Sequence, residues 1–241
     1  VAFAVNGTNK KKLRLIYIMT DGASLPIMFS KSVRELLSKD LLQGTITAGN
    51  AFGGDLEAVN IYSALLAAKW VLNADCIMVC MGPGIVGTGT KWGYTGIEQG
   101  QIINAVASLG GTPVAIPRVS FGDPRLRHQG LSHHTVTALK NVALASAKIP
   151  FGILDDSKMN YILEQWTKNK IALHELIIKD VQDELTSLAN SNLSIKTMNR
   201  GIKEEKDFFS CCLAAGVYAR ELINEKLIVN NLLPSDQKVM C

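Results

Sequence analysis

Three of the four histidines in this 241-residue chain, His128, His133 and His134, fall within seven residues of one another. The same stretch carries Arg118, Asp123, Arg125, Arg127 and Ser132. Guanidinium groups hold carboxylates and phosphates in bidentate fashion, so Arg118, Arg125 and Arg127 suit an anion. Ser132 opens a helix, which puts His133 and His134 in its first turn. There the helix dipole disfavours imidazolium, and a neutral ring can take up a proton or ligate a metal. His133 and His134 are therefore the predicted catalytic pair, with Asp21 as the acidic partner. His128, His133 and His134 are the metal candidates, with Asp21, Asp55 or Asp123 as further ligands and the metal itself unspecified. The plainer role for adjacent histidines is that one packs or caps and the other faces water.

Three further loops carry unusual residues. The first holds Thr20, Asp21 and Ser24; the second Asn50, Gly53, Gly54 and Asp55; the third Gly82, Gly84, Gly87, Thr88, Gly89 and Thr90. Gly82-Pro83-Gly84-Ile85-Val86-Gly87 is a formal G-x-G-x-x-G, whose use would be backbone amides against a pyrophosphate. It follows the third strand, not the first, and no acidic residue ends the next strand. A phosphate or carboxylate nest built from Gly84, Gly87, Thr88 and Thr90 is the better expectation. A turn-rich connection with no ligand is the ordinary one. Asp55 also reads as a helix N-cap and Asp21-Gly22 as a turn. Arg200, in the polar turn Thr197 to Gly201, is expected to reach the same place. The predicted ligand-binding set is Thr20, Asn50, Gly53, Gly54, Asp55, Gly84, Gly87, Thr88, Thr90, Arg118, Asp123, Arg125, His128 and Arg200. Trp92, in the glycine loop, would cover a ligand.

The elements that must position these loops repeat as strand, loop and helix. Strands are predicted at Leu13 to Met19, Gly44 to Ala48, Cys76 to Met81 and Pro113 to Val119. Prolines push the last toward an edge. Helices are predicted through Phe29, Val33, Leu36 and Leu37 with Ser24 as cap, from Leu56 to about Asn73, from Tyr94 to Leu109, and from Ser132. Gly110-Gly111 ends the third. Four such units in series imply an α/β protein with an open, mostly parallel sheet flanked by helices, in Rossmann-like or flavodoxin-like layering. Ligands then bind beyond the carboxyl ends of the strands, where these loops fall. After Ile149 the pattern loosens into a less regular α/β part. Its helices are expected over Tyr161 to Lys168, Val181 to Leu188 and Asp207 to Asn224, a strand over His174 to Lys179, and a frayed tail from Lys226. The implied division is 1–150 for the ligand-site domain and 151–241 for an extension packed on the same sheet.

Composition narrows the field. With 47% hydrophobic and 19% charged residues the chain is globular. A net charge of +4, partly from Lys10, Lys11 and Lys12, comes with no basic stripe interleaved with aromatics, which argues against nucleic acid. The longest apolar stretch, Ala64 to Met81, is broken by Lys69 and Asp75, which argues against a membrane span. Cys76, Cys80, Cys211, Cys212 and Cys241 show no metal spacing and read as core thiols of a reducing compartment, the cytoplasm. His174 reads as structural, and Trp70 and Trp166 as core. The apolar helices leave room for a homo-oligomer.

Four strings carry a family resemblance: Tyr17 to Pro26, Gly44 to Val59, Met81 to Thr90 and Leu131 to Ala138. Together with Thr197 to Gly201, Phe208-Phe209 and Ala215 to Tyr218 they resemble an uncharacterised bacterial family, a domain of unknown function. The likeness spans roughly Leu13 to Leu222. It implies that this chain corresponds to the larger, C-terminal part of such a protein, and it supplies no catalytic residue and no cofactor. Asn199 departs from the family's pattern, which has glycine there. The residues themselves favour a small-molecule enzyme for an anionic metabolite, phosphorylated or carboxylated. The alternatives are a non-catalytic ligand-sensing domain, a nucleotide- or dinucleotide-binding protein, and an interaction module.

Overall fold

A computed structural model describes residues 1–7, 11–82 and 84–232. Lys10, Pro83 and Cys241, on which expectations fell, lie outside them. The main sheet has four parallel strands, β1 (Leu15–Asp21), β2 (Gly44–Ala48), β3 (Leu56–Ala58) and β4 (Cys76–Gly82), in the order β3-β2-β1-β4. The chain is thus an α/β protein. β1 is apolar up to Thr20, as a strand covered on both faces must be. Leu15, Tyr17 and Met19 pack on one face with Val33 of helix α1 (Lys31–Ser38). Ile16 and Ile18 pack on the other with Ala64, Leu65 and Ala68 of helix α2 (Ile61–Trp70).

Several expected boundaries shift for local reasons. Ser30, not Ser24, caps α1, its side chain accepting from Val33 N, and Phe29 lies outside the helix with two-thirds of its surface exposed. The helix expected from Leu56 starts at Ile61, because Leu56 to Ala58 pair with β2. Asn60 and Ser63 form a reciprocal capping box at its start. Asp55 is accordingly no helix cap: its carboxylate accepts from Thr45 N (2.8 Å) and Thr45 Oγ1 (2.9 Å). Trp70 is exposed, not core, since the buried face of α2 is Ala64, Leu65 and Ala68.

The second half begins with α3 (Glu98–Ser108), then two short antiparallel strands, β5 (Val119–Ser120) and β6 (Gly130–Leu131). The long strand expected from Pro113 reduces to β5 and a single bridge from Val114 to Lys148, because Pro113 and Pro117 bring no amide to a ladder. Helix α4 (His133–Thr137) continues into a π-helical turn, Ala138–Val142. Strand β7 (Lys148–Gly152) pairs in parallel with β8 (Glu175–Lys179), and position 150 falls inside β7. Helices α5 (Asp156–Lys168), α6 (Gln182–Ala189) and α7 (Lys206–Leu232) complete the chain. α7 runs on through the start of the expected frayed tail. Ile149, Phe151, Leu131, Leu139, Ile162 and Cys211 share one core cluster, with Trp166 against it. Cys80, expected in the core, is exposed. Among the described residues no helix is long and apolar enough to cross a membrane.

Candidate functional site

The histidine loop is held from several sides. Ser132 N donates to Arg118 O (2.9 Å), closing the β5–β6 hairpin. Gln165 of α5 accepts from Leu131 N (2.7 Å) and donates to Gln129 O (3.0 Å). Gly130 sits at φ +64°, and a Cβ there would lie 2.5 Å from Gln165 Oε1, so only glycine fits between the hairpin and α5. On the far side, Gly100 lets α3 approach the π turn: a Cβ would meet Val142 Cβ at 2.6 Å and Ala138 O at 2.7 Å. The loop is therefore anchored before the histidines are reached.

His128, His133 and His134 come together there. Ring centroids are 5.0 Å apart for His128 and His133, 5.1 Å for His128 and His134, and 4.2 Å for His133 and His134. His128 Nδ1 lies 2.8 Å from Ser132 Oγ, and the same hydroxyl accepts from His134 N (3.3 Å) as the helix cap. Tyr94 stacks on His134 with centroids 4.0 Å apart and planes 11° apart, while its hydroxyl donates to His134 O (2.8 Å). Burial pushes His128 down to about 4, with the Arg125 charge adding to it. Burial and the neighbouring rings push His134 down to about 4, and burial lowers His133. In all three the shift favours the neutral ring. Among the described residues His133 Nε2 is buried without a hydrogen-bond partner. His174 behaves otherwise: its Nδ1 accepts from Ala147 N (3.1 Å), and its Nε2 then donates to Leu139 O (2.9 Å). One ring nitrogen from each of His128, His133 and His134 lies within 4.8 Å of the other two, so these three could hold a metal ion. That group contains no carboxylate, and Asp21, Asp55 and Asp123 all fall outside it.

Beside the histidines lies a closed ionic cluster. Asp123 is 1% exposed and takes a bidentate pair from Arg125, Nε at 2.9 Å and Nη2 at 2.8 Å. That pair holds the Asp123 carboxyl far below the usual carboxylate range. Arg118 and Arg200 approach the same carboxylate at 4.0 and 3.7 Å. Glu205, equally buried, accepts from Ser120 Oγ (2.8 Å) and Arg200 Nε (2.6 Å). Arg200 Nη2 also lies 2.6 Å from Glu205 Oε1, an ion pair whose angle is too bent for a hydrogen bond. Arg118 Nη1 donates to Thr197 Oγ1 (3.1 Å). Arg200 is presented by a two-residue hairpin in which Met198 and Asn199 take φ +49° and +64°. Asn199 thus stands where glycine is the easier residue. Arg125 is spent on Asp123 and Arg118 donates to Thr197, while Arg200 donates from Nε to Glu205 and keeps Nη2 in ion pairs without a hydrogen bond. Arg127 is exposed, with a single 3.4 Å contact from Nη1 to Gly89 O.

The other expected residues form a second locus. β1 and β4 end together, Thr20 opposite Met81 and Asp21 opposite Gly82, with β2 on one side of β1 and β4 on the other, which is a topological switch point. Thr20 Oγ1 donates to Glu98 Oε2 (2.8 Å), and burial together with the nearby Asp21 charge raises the Glu98 carboxyl. Asp21 is held low by the amides of Ser24 and Ala23 and by Asn50. Gly53, Gly54 and Asp55 instead run back along β2, since Gly54 N donates to Thr47 Oγ1 (3.3 Å) and Asp55 binds Thr45. The glycine loop closes on itself. Thr88 N donates to Gly93 O (2.7 Å), Gly93 N to Thr90 Oγ1 (3.1 Å) and Val86 N to Thr95 Oγ1 (3.1 Å). Gly87 bridges Tyr94. Gly84, at φ +154°, has open space where a Cβ would be. Trp92 is exposed, with Lys91 over its ring. This hairpin presents Tyr94 to His134, and four residues later the same segment presents Glu98 to Thr20.

Tyr94, Glu98 and Glu205 have no part in the sequence-based site. Tyr94 carried one signal, its place directly after a glycine loop. Glu205 sits among ordinary charged residues, and nothing local marks it as buried. With this geometry in hand, comparison with known proteins gives a family. Residues 1–216 match the model of DUF3866, described as a protein of unknown function, and the chain belongs to that family. The match begins earlier and ends slightly sooner than the span from Leu13 to Leu222. No curated protein and no solved structure matches the chain.

Proposed function

We propose that the protein is a small-molecule enzyme whose reactive centre is the His128, His133 and His134 cluster and whose substrate is an anionic metabolite, phosphorylated or carboxylated. One observation carries this reading. Three neutral imidazoles are packed together with a buried ring nitrogen, His133 Nε2, left without a partner. A buried polar atom without a partner costs about 1–3 kcal/mol, and such a cost is kept where a ligand repays it. The imidazole lone pairs are where a proton is taken up or water is activated. Arg127 is an exposed cation acting on His133 whose donors are largely unspent, and it suits the charged group of the substrate. The switch-point residues Thr20, Asp21 and Asn50 lie at the other end of the segment from Tyr94 to Glu98. They form a second locus in the place where open parallel sheets take ligands, joined to the histidines through that segment.

The test is a thermal-shift screen of the purified chain against phosphate esters and small carboxylates, with each hit followed for turnover by NMR. A ligand at about 100 times its Kd stabilises by about 2.7 kcal/mol. The expected result is a hit that Arg127→Ala weakens at least tenfold and His133→Leu abolishes. A hit indifferent to both variants places the site elsewhere.

A further inference from the structure

We propose that His128, His133 and His134 bind one divalent transition-metal ion, of the zinc class, as a three-nitrogen centre with one coordination position open. This rests on the reading of the cluster as the reactive centre and names the cofactor it would use. The three ligand nitrogens already lie within 4.8 Å of one another. A tetrahedral ion with bonds of about 2.0–2.1 Å draws its nitrogens to roughly 3.4 Å apart. The remaining closure, at most about 1.4 Å by that comparison, is of the size a side-chain rotation supplies.

Each ring has the surroundings a ligand needs. His128 has Nδ1 against Ser132 Oγ, which leaves Nε2 as the ligand atom once Nδ1 carries the hydrogen. Metal-bound imidazoles characteristically lean on such an outer partner through their second nitrogen. Ser132 is itself fixed, since it caps α4 through His134 N. His134 is held by the stacked Tyr94 ring. His133 Nε2 lacks a protein partner, and a metal ion provides one. With imidazole donors and no carboxylate in the group, the set suits zinc, copper, nickel or cobalt and not magnesium or calcium.

The nearby cations set the character of the centre. Arg125 is matched by its bidentate pair with Asp123, and Arg200 by Glu205. Arg127 has no carboxylate partner among the described residues, and Arg118 faces Glu205 and Asp123 without a close ion pair. Their charge opposes a bare dication and favours an anion beside it. The open position is therefore expected to take hydroxide or the charged group of a substrate, and inorganic phosphate should tighten metal binding.

The experiment loads the chelator-stripped protein with cobalt(II) alone, as a spectroscopic stand-in for zinc, and measures metal content by mass spectrometry. Zinc is then added in competition. The expected result is one ion per chain, tetrahedral cobalt absorption that zinc abolishes, and at least a hundredfold weaker binding in His133→Leu and in His134→Gln. Ser132→Ala, acting through His128, should weaken binding by 10- to 100-fold. Folding of each variant is checked by circular dichroism. Native protein that takes up neither metal overturns the proposal, and so does uptake that persists in folded His133→Leu and His134→Gln. If metal uptake fails while an anionic ligand still binds and is lost in His133→Leu, the proposed function stands and only the metal is rejected.

Discussion

Two polar clusters share the stretch from Arg118 to Thr137, and they meet burial in opposite ways. Around Asp123 and Glu205, acids and arginines pair off: Arg125 grips Asp123 in a bidentate pair, Ser120 and Arg200 Nε donate to Glu205, and Arg200 Nη2, though without a hydrogen bond, is ion-paired to both carboxylates. Around His133 the groups are neutral, crowded and incompletely bonded. A closed network fixes structure, because removing any member strands another buried charge. An open one gives up stability and keeps lone pairs available. On the proposed reading, the paired set is scaffold and the incompletely bonded set is the site. His174, with both nitrogens bonded, is the control within one residue type.

The sharpest way to break the comparison is Asp123→Ala. Removing this carboxylate leaves Arg118, Arg125 and Arg200 facing one another. A buried pair broken in this way costs about 3–5 kcal/mol, and the part-exposed arginines put the expected value near about 3 kcal/mol. At roughly 2–4 °C per kcal/mol, Tm should fall by about 6–12 °C. A loss below about 1 kcal/mol would mean the cluster is not closed.

The pH response comes next. His128 and His134 sit near 4 in the folded chain, against an ordinary value of 6.5. The unfolded chain binds more protons in that interval, so their contribution is complete above about pH 6.5 and is lost as pH falls toward 4. Urea midpoints measured across this window should drop with acid, and the drop should shrink in a His128→Gln, His134→Gln double variant. A flat profile would show the rings to be solvated.

Smaller effects follow. His174→Leu strands Ala147 N and Leu139 O and should cost about 2 kcal/mol. Tyr94→Phe keeps the stacked ring on His134 but loses the hydrogen bond to its carbonyl, about 1 kcal/mol by chemical denaturation. Equal losses for the two variants would remove the contrast between a bonded histidine and a merely supported one.

Much of the frame was legible in the sequence, for identifiable reasons. β1 and β4 are apolar runs ending in Asp21 and Gly82, and β2, which alternates threonine with isoleucine and alanine between Gly44 and the Gly49 turn, is readable to the residue. The misread start of α2 turned on Asp55. Its short carboxylate caps a helix as readily as it grips Thr45, and only the pairing of Leu56 with β2 decides between them. β7 was missed because Pro150 interrupts a short strand between loops. The spacing of His128, His133 and His134 put them in one loop, but spacing carries no information on bonding. That Arg125 is tied to Asp123, and that Arg200 meets Glu205, depends on contacts between distant turns. Tyr94 was hidden in the same way, since its partner lies 40 residues away.

The most direct measurement is a pair of thermal melts, His133→Leu beside His174→Leu, each repeated with cobalt(II). If His133 Nε2 is held for a ligand, His133→Leu should melt within about 1–2 °C of the native protein and lose its cobalt response. His174→Leu should melt about 4–8 °C lower and keep that response. A fall in His133→Leu as deep as in His174→Leu would contradict the claim, showing that both histidines are structural and that the open nitrogen is not a site.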